Sequence, residues 1–204
     1  MPTSVCPLAP AQALRVLLSA LLLSLPLASW GQACAVPRFE PFRAPSLTPQ
    51  DQVGALEISM RPFASLRVPA GFARIGPTMT VPGVLVGQHP RGLRGAVSFD
   101  TRESVAREAE GGAVAPVQFV QGIFEGRDAQ ACRHLAALKL DEQDYRVRAE
   151  LSHGARLYAY GRGGSHRFHL TRPDQPELAL AGRFDGMSRA EFEAVLASLE
   201  LAAD

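Results

Sequence analysis

The side chains that could do covalent or metal chemistry are scattered along the chain and match no known catalytic spacing. His166 and His169 are three residues apart in a predicted strand, so they point to opposite faces and cannot share one metal ion. Cys132 and His134 are two residues apart on a predicted helix, where side chains of that spacing diverge. The sequence therefore predicts no metal site, no cofactor and no catalytic residue.

A second set of side chains could recognise a ligand rather than transform it. In residues 145–151 apolar and polar side chains alternate, which is typical of a strand with one apolar face. Arginine and tyrosine on the opposite face would suit an anionic group or a sugar, through bidentate hydrogen bonds and stacking. The alternative is an ordinary solvated face whose arginine stems cover apolar surface. The candidate ligand-binding residues are Arg146, Arg148, Arg156, Tyr158, Tyr160, Arg167 and His169.

These candidates are positioned by a series of short strands. Turn-forming residues at 152–154, 162–165 and 172–176 divide residues 145–184 into four strands, which predicts an antiparallel meander. Ser188 and Glu191 then form a capping box, and apolar residues follow at helical spacing from Phe192 to Leu199. An amphipathic helix is therefore expected to close the chain and pack on the sheet.

The earlier part of the chain adds further strands and helices. Residues 56–60 alternate as a half-buried strand, and residues 117–125 and 129–139 have helical patterns that follow Pro116 and Asp128. Four prolines punctuate residues 34–54, which predicts an extended lead. We therefore expect one α+β domain over residues 55–204, an antiparallel sheet packed by helices.

Residues 1–33 have the pattern of a secretory signal peptide. They contain Arg15 as their single charged side chain, then an apolar run that Pro26 ends and that is too short to span a bilayer. Small residues at 31 and 33 and at 33 and 35 offer two cleavage sites. The expected location is the periplasm, with no transmembrane span after cleavage.

Cys34 has two interpretations. Two cysteines, Cys34 and Cys132, remain outside the leader, and thiols in an oxidising compartment tend to pair as a disulfide. Alternatively, Cys34 could be the acylated residue of a membrane-anchored lipoprotein, although Gly31 and Gln32 fit that signal poorly. Cleavage after Ala35 would remove Cys34 and with it the disulfide.

Length and charge exclude several classes of protein. The chain has 204 residues, is 47% hydrophobic and carries a formal charge of +1, which is unlike a disordered chain. Removal of the leader and its Arg15 leaves equal numbers of basic and acidic side chains. A nucleic-acid-binding protein would carry a basic excess, so no nucleic-acid partner is expected.

Several of these segments together resemble a family of exported bacterial α+β domains, the PsbP-like group that includes the DcrB-like proteins. The resemblance lies in Val68-Pro69-Ala70-Gly71-Phe72 after an opening strand, in strands 145–184, and in the closing helix with Met187-Ser188 before it. It implies an antiparallel sheet flanked by helices and a non-enzymatic accessory or binding role.

The function expected from the sequence is that of an exported, non-catalytic envelope protein. Its partner would be a protein, or a small anionic or sugar ligand. Two alternatives remain open at this point: a periplasmic hydrolase with a site built from loops, and an immunity or inhibitor protein.

Overall fold

The computed structural model describes residues 34–47, 54–79, 81–108 and 114–202, so the predicted signal peptide at 1–33 lies outside the described residues. Within these ranges the chain forms four α-helices and eleven strands. The helices are α1 (Arg102–Glu108), α2 (Pro116–Glu125), α3 (Ala129–Ala137) and α4 (Arg189–Ala197). The strands are β1 (Glu40–Pro41), β2 (Leu56–Met60), β3 (Ala64–Val68), β4 (Arg74–Pro77), β5 (Gly83–Gly87), β6 (Arg94–Thr101), β7 (Tyr145–Glu150), β8 (Arg156–Arg162), β9 (Ser165–Thr171), β10 (Leu178–Asp185) and β11 (Glu200–Leu201).

The strands form two sheets. The larger sheet has eight strands in the order β1-β7-β8-β9-β10-β6-β5-β4, and the smaller has the order β11-β3-β2. All the pairings are antiparallel except that of β1 with β7. The α+β class expected from the sequence, with mostly antiparallel strands, is confirmed.

The small sheet and α4 cover one face of the large sheet, which we call the α4 face. Its core contains Phe168, Leu180 and Phe184 from the large sheet and Phe63 and Phe192 from the layer above it, all fully buried. Burial of apolar area on this scale, at about 25 cal/mol per Å², is the main favourable term in folding.

Arg172 joins the two sheets at the end of β9. Its side chain is buried, and its Nη1 donates hydrogen bonds to the carbonyl oxygens of Phe63 at 2.7 Å and Ala202 at 3.0 Å. Asp174 accepts further hydrogen bonds from the same guanidinium group. A buried charge must be paired in this way, because an isolated one would be prohibitively costly to desolvate.

Helices α2 and α3 pack on the other face, which we call the α2–α3 face. Pro116 starts α2, and Gly126, in the left-handed conformation with φ 61°, ends it. Asp128 Oδ1 then accepts a hydrogen bond from the backbone N–H of Ala131 at 2.8 Å and caps α3. Phe124, Leu135, Tyr158, Tyr160 and Ala179 share the core beneath these helices.

The predicted disulfide between Cys34 and Cys132 is confirmed, with a Cα–Cα distance of 5.6 Å. The bond ties the extended lead to α3, and the lead adds Val36 and Phe39 to the core beneath the helices. It closes a loop over a sequence separation of 98 residues. In the chain-entropy model a loop of that size stabilises the folded state by about 4–5 kcal/mol.

The start of α4 provides a test of local stability. Ser188 Oγ accepts a hydrogen bond from Glu191 N, and Glu191 Oε2 accepts one from Ser188 N at 2.9 Å, so both halves of the capping box are present. We expect Ser188→Ala to lower the free energy of unfolding by about 1 kcal/mol, because the backbone N–H of Glu191 loses its acceptor, the Ser188 hydroxyl oxygen. Urea unfolding followed by circular dichroism measures this, with Ser59→Ala on exposed β2 as the control. An unchanged midpoint for Ser188→Ala would contradict the assignment.

Candidate functional site

Strand pairing brings the seven residues singled out in the sequence onto the α2–α3 face. In one row across the sheet Tyr160 lies between Arg146 and Arg167, and in the next row Tyr158 lies between Arg148 and His169. Arg156 adjoins them at the start of β8, opposite Glu150 and Thr171. The register of β7, β8 and β9 thus gathers these residues on one face, but the sequence did not indicate that helices lie above them.

The two tyrosines are buried under α2 rather than open to a ligand. The ring of Tyr158 stacks on Phe124 with centroids 4.4 Å apart and planes 9° apart, and Tyr160 is 1% exposed. Burial raises the pKa of both phenols, while Arg156 and Arg167 respectively act in the opposite direction. These aromatic rings are part of the core beneath the helices and are inaccessible to a sugar.

Two of the arginines serve the fold. Arg156 Nη1 donates to Glu125 Oε1 at 2.7 Å and so ties β8 to the end of α2. Arg146 Nη1 donates to the carbonyl oxygens of Leu140 at 2.5 Å and Gln143 at 3.3 Å. Arg148 and Arg167 remain exposed.

His169 lies among the rings of Phe124 and Tyr160, with its Nε2 3.3 Å from the Tyr160 hydroxyl oxygen. Its Nδ1 is buried and has no hydrogen-bond partner among the described residues. Burial, and secondarily the charge of Arg167, lower the pKa of His169 to about 4. The neutral imidazole is therefore the form that the folded protein accommodates.

The part of the same face that α2 and α3 leave uncovered contains a groove of about 730 Å³. Alternation along β10 places Arg183 and Asp185 on the same side of the sheet as Ala179, which packs under the helices. Strand pairing places Ala96 beside Arg183, Leu85 beside Ala96 and Gly76 beside Leu85, so these residues form one row on the same face. We call this feature the arginine groove and define it by Arg74, Gly76, Leu85, Gly87, Arg94, Ala96, Arg183 and Asp185.

The floor of the groove is recessed at Gly76 and Gly87, which have no side chain to fill it. A Cβ atom built on Gly76 or on Gly87 meets nothing within 4 Å, so packing does not require glycine at either position. By contrast, a Cβ atom built on Gly182, which lies on the α4 face, would be 1.9 Å from the Phe168 ring, so packing requires glycine there. Glycine in a strand interior weakens the strand, and it is often found where a ligand or another backbone approaches closely.

The walls of the groove carry more positive than negative charge. Arg183 Nη2 and Arg94 Nε lie 3.1 Å and 3.5 Å from the Asp185 carboxylate, which also accepts a hydrogen bond from Ser165 Oγ at 2.7 Å. Burial acts to raise the pKa of Asp185, but the hydrogen bonds from Ser165 and Arg183 outweigh it and the pKa is lowered. Asp185 therefore stays ionised and orients two arginines.

Arg74 is the third cation of the groove. It is exposed on β4, opposite Gly87, and makes no ion pair within the described ranges. Three guanidinium groups thus face a single carboxylate. Each guanidinium presents five N–H donors in a planar fork, so the groove has donors left over for an anion with several oxygens.

Sequence reasoning did not find the arginine groove. Three of its strands, β4 to β6, are consecutive, but β10 lies about 80 residues later in the sequence, and Gly76 reads there as part of a turn with Pro77. A usable signal was the repetition of glycine at 76, 83, 87 and 95 in short apolar strands, because glycine is depleted in strands.

Among the described residues no group of three or more His, Cys, Asp or Glu side chains could hold a metal ion. None of the helices in the same ranges is long and apolar enough to cross a membrane. No family model matches the chain, and no curated protein or solved structure matches it either.

The burial of His169 predicts a specific pH dependence of stability. Its pKa falls from the ordinary value of 6.5 to about 4 in the folded state. Between pH 6.5 and about pH 4, His169 is therefore protonated in the unfolded chain but neutral in the folded protein. Stability is therefore lost as the pH falls through this window, by about 2–3 kcal/mol. His169→Phe should remove most of that loss.

Guanidinium unfolding of both proteins at about pH 7 and about pH 4.5 measures the difference. Asp100, whose pKa burial and secondarily Glu108 raise to about 6, contributes a slope of opposite sign, but it is present in both proteins and cancels. Equal pH dependence in the two proteins would contradict the assignment of His169.

Proposed function

We propose that this protein is an exported envelope protein that binds an anionic ligand in the arginine groove and does not catalyse a reaction. The observation that carries the proposal is the glycine floor at Gly76 and Gly87, left open between arginine side chains. Gly76 lies inside β4 and weakens that strand, and Gly87 ends β5. Packing requires glycine at neither position, and binding of a ligand supplies a reason for both. The role agrees with the accessory or binding role that the resemblance to the PsbP-like group implies.

The proposed architecture supports this role. In the proposal strands 145–184 form the meander expected from the sequence, and the amphipathic helix after them closes the α4 face. Phe192, Val195 and Leu196 of α4 are buried against the core, which supports that arrangement. The α4 face of the sheet is then covered, and the part of the α2–α3 face that no helix covers can form the groove.

Export is supported by the bond between Cys34 and Cys132. Disulfides persist in oxidising compartments such as the periplasm and are rare in the cytosol. The bond also favours one of the two cleavage sites, because processing after Ala33 keeps Cys34 and processing after Ala35 removes it. With its Sγ bonded to Cys132, Cys34 cannot carry the thioether of a lipoprotein anchor.

We expect the processed protein to begin at Cys34. Its intact mass, measured after purification from the periplasm, should equal residues 34–204 less two hydrogens for the disulfide, and should rise by two hydrogens on reduction. A mass that includes acyl chains, or one that begins at Val36, would contradict this account of export.

The ligand class follows from charge and size. Three arginines and one carboxylate favour an anion, and arginine prefers phosphate or carboxylate groups that accept paired hydrogen bonds. A groove of about 730 Å³ is in the size range of small-molecule sites and far exceeds a single inorganic anion. Leu85, 44% exposed in the floor, offers an apolar contact beside the charged groups.

We test the groove with inorganic tripolyphosphate as the probe and titration calorimetry as the measurement. Arg74→Ala should weaken binding roughly tenfold, since a charge-assisted hydrogen bond contributes about 1.5–3 kcal/mol. Gly87→Val should abolish binding by filling the floor, while it leaves stability unchanged or slightly increased because its Cβ enters open space.

Arg148→Ala is the comparison, because it lies on β7 at the other end of the face and outside the groove. Its affinity should equal that of the unmodified protein. If Gly87→Val and Arg74→Ala bind normally, or if Arg148→Ala loses as much affinity as Arg74→Ala, the groove is not the site.

A further inference from the structure

Three exposed large apolar side chains of the described residues belong to one hairpin. Met79 is fully exposed at the tip between β4 and β5, and Ile75 and Leu85 are 54% and 44% exposed on the two strands. Exposed apolar side chains scattered singly are ordinary, and Ile75 lies on the opposite side of the sheet from Leu85, which faces the groove. Met79 at the tip and Leu85 are therefore the two that can form an interaction surface.

Hydrogen bonds join the two arms of the hairpin as far as Thr78. Thr78 N donates to the carbonyl oxygen of Gly83 at 3.1 Å, and the Thr78 hydroxyl donates to the carbonyl oxygen of Val81. Met79 is therefore held at the end of a paired ladder, in a position where it can reach a surface in front of the sheet edge.

The outer edge of β4 is a poor partner for another strand. Because Thr78 pairs with Gly83 through its N–H, alternation along β4 turns the backbone groups of Ile75 and Pro77 outward. Pro77 has no N–H to donate, and proline on an outer strand blocks addition of a further strand. The side chains rather than the backbone must make the contact.

Charge indicates what the side chains contact. Arg74 lies five residues before Met79, which is about 16 Å of extended chain at 3.3 Å per residue. Arg94 and Arg183 lie on neighbouring strands of the same face, and Asp185 is the single acidic side chain that lines this groove. The hairpin therefore carries apolar Met79 at its tip and lies beside a cluster of arginines at its other end.

We infer that the β4–β5 hairpin docks the protein on an anionic lipid surface. Met79 and Leu85 enter the boundary between headgroups and acyl chains, and Arg74 and its neighbours face the lipid phosphates. Apolar groups inserted by 5–10 Å and arginines within about a Debye length of the charged surface together give such binding. The inference rests on the proposed function and deepens it, since it names lipid headgroups as the source of the anion in the arginine groove.

The test uses processed protein purified from the periplasm of cells that express the full chain, in flotation with lipid vesicles. The protein should bind vesicles that contain equal parts phosphatidylglycerol and phosphatidylcholine, should not bind phosphatidylcholine alone, and should dissociate as salt is raised. Met79→Asp should weaken binding roughly tenfold, and Arg74→Ala roughly fivefold. Ala190→Asp, which adds the same charge on exposed α4 at the other face, should have no effect.

Tip insertion has its own spectroscopic readout. The chain has one tryptophan, Trp30, which is in the leader. Processing before Cys34 removes it, so Met79→Trp supplies the single tryptophan of the processed protein. Its emission should shift to the blue with anionic vesicles and should be protected from a soluble quencher. Bound protein with unshifted emission would overturn insertion of the tip.

Failure of this inference is distinguishable from failure of the proposed function. Met79→Asp should still bind tripolyphosphate, because Met79 does not line the groove. If anionic vesicles do not bind while tripolyphosphate does, lipid docking is wrong and the groove remains. If Met79→Asp instead converts a dimer to a monomer in analytical ultracentrifugation, the hairpin binds a second copy of this chain and lipid docking is again wrong.

Discussion

The packing of α2 against β8 is the interaction on which the rest of this structure depends. Phe124 stacks on Tyr158, and the bond from Cys34 to Cys132 holds the adjoining α3 and the extended lead over the same strands. Half of one sheet face thereby becomes core. The other half, over β4, β5, β6 and the end of β10, remains a surface that can hold a ligand.

This division explains why similar residues have different roles on one face. Arg156 is tied to Glu125 beside the helices and stabilises their docking, whereas Arg74, at the uncovered end, is exposed and makes no ion pair with the residues that the structure describes. On the α2–α3 face, an arginine under the helices stabilises the fold, whereas one outside them is available to bind a ligand.

The sequence predicted those features that depend on local signals. The strand at 56–60, the capping box at Ser188 and the cysteine pairing were foreseen because alternation, cap chemistry and the presence of two cysteines outside the leader leave few choices. Helix α3 ends at Ala137, two residues earlier than predicted, because Lys139 adopts a left-handed conformation with φ 49°. The burial of Tyr158 and Tyr160 could not be foreseen, since nothing local to β8 indicates that Phe124 will lie on it. The groove depends on register between strands as distant as β5 and β10, through β6, which periodicity within a strand does not encode.

The central claim, that the uncovered half of the α2–α3 face is the functional surface, can be tested by one measurement. An arginine-specific dicarbonyl reagent modifies exposed guanidinium groups, and peptide mass spectrometry reports the extent at each arginine, with and without tripolyphosphate. This account predicts protection of Arg74 and Arg94 by the anion, and no change at Arg148. Protection of Arg148, with Arg74 and Arg94 equally reactive in both conditions, would contradict it.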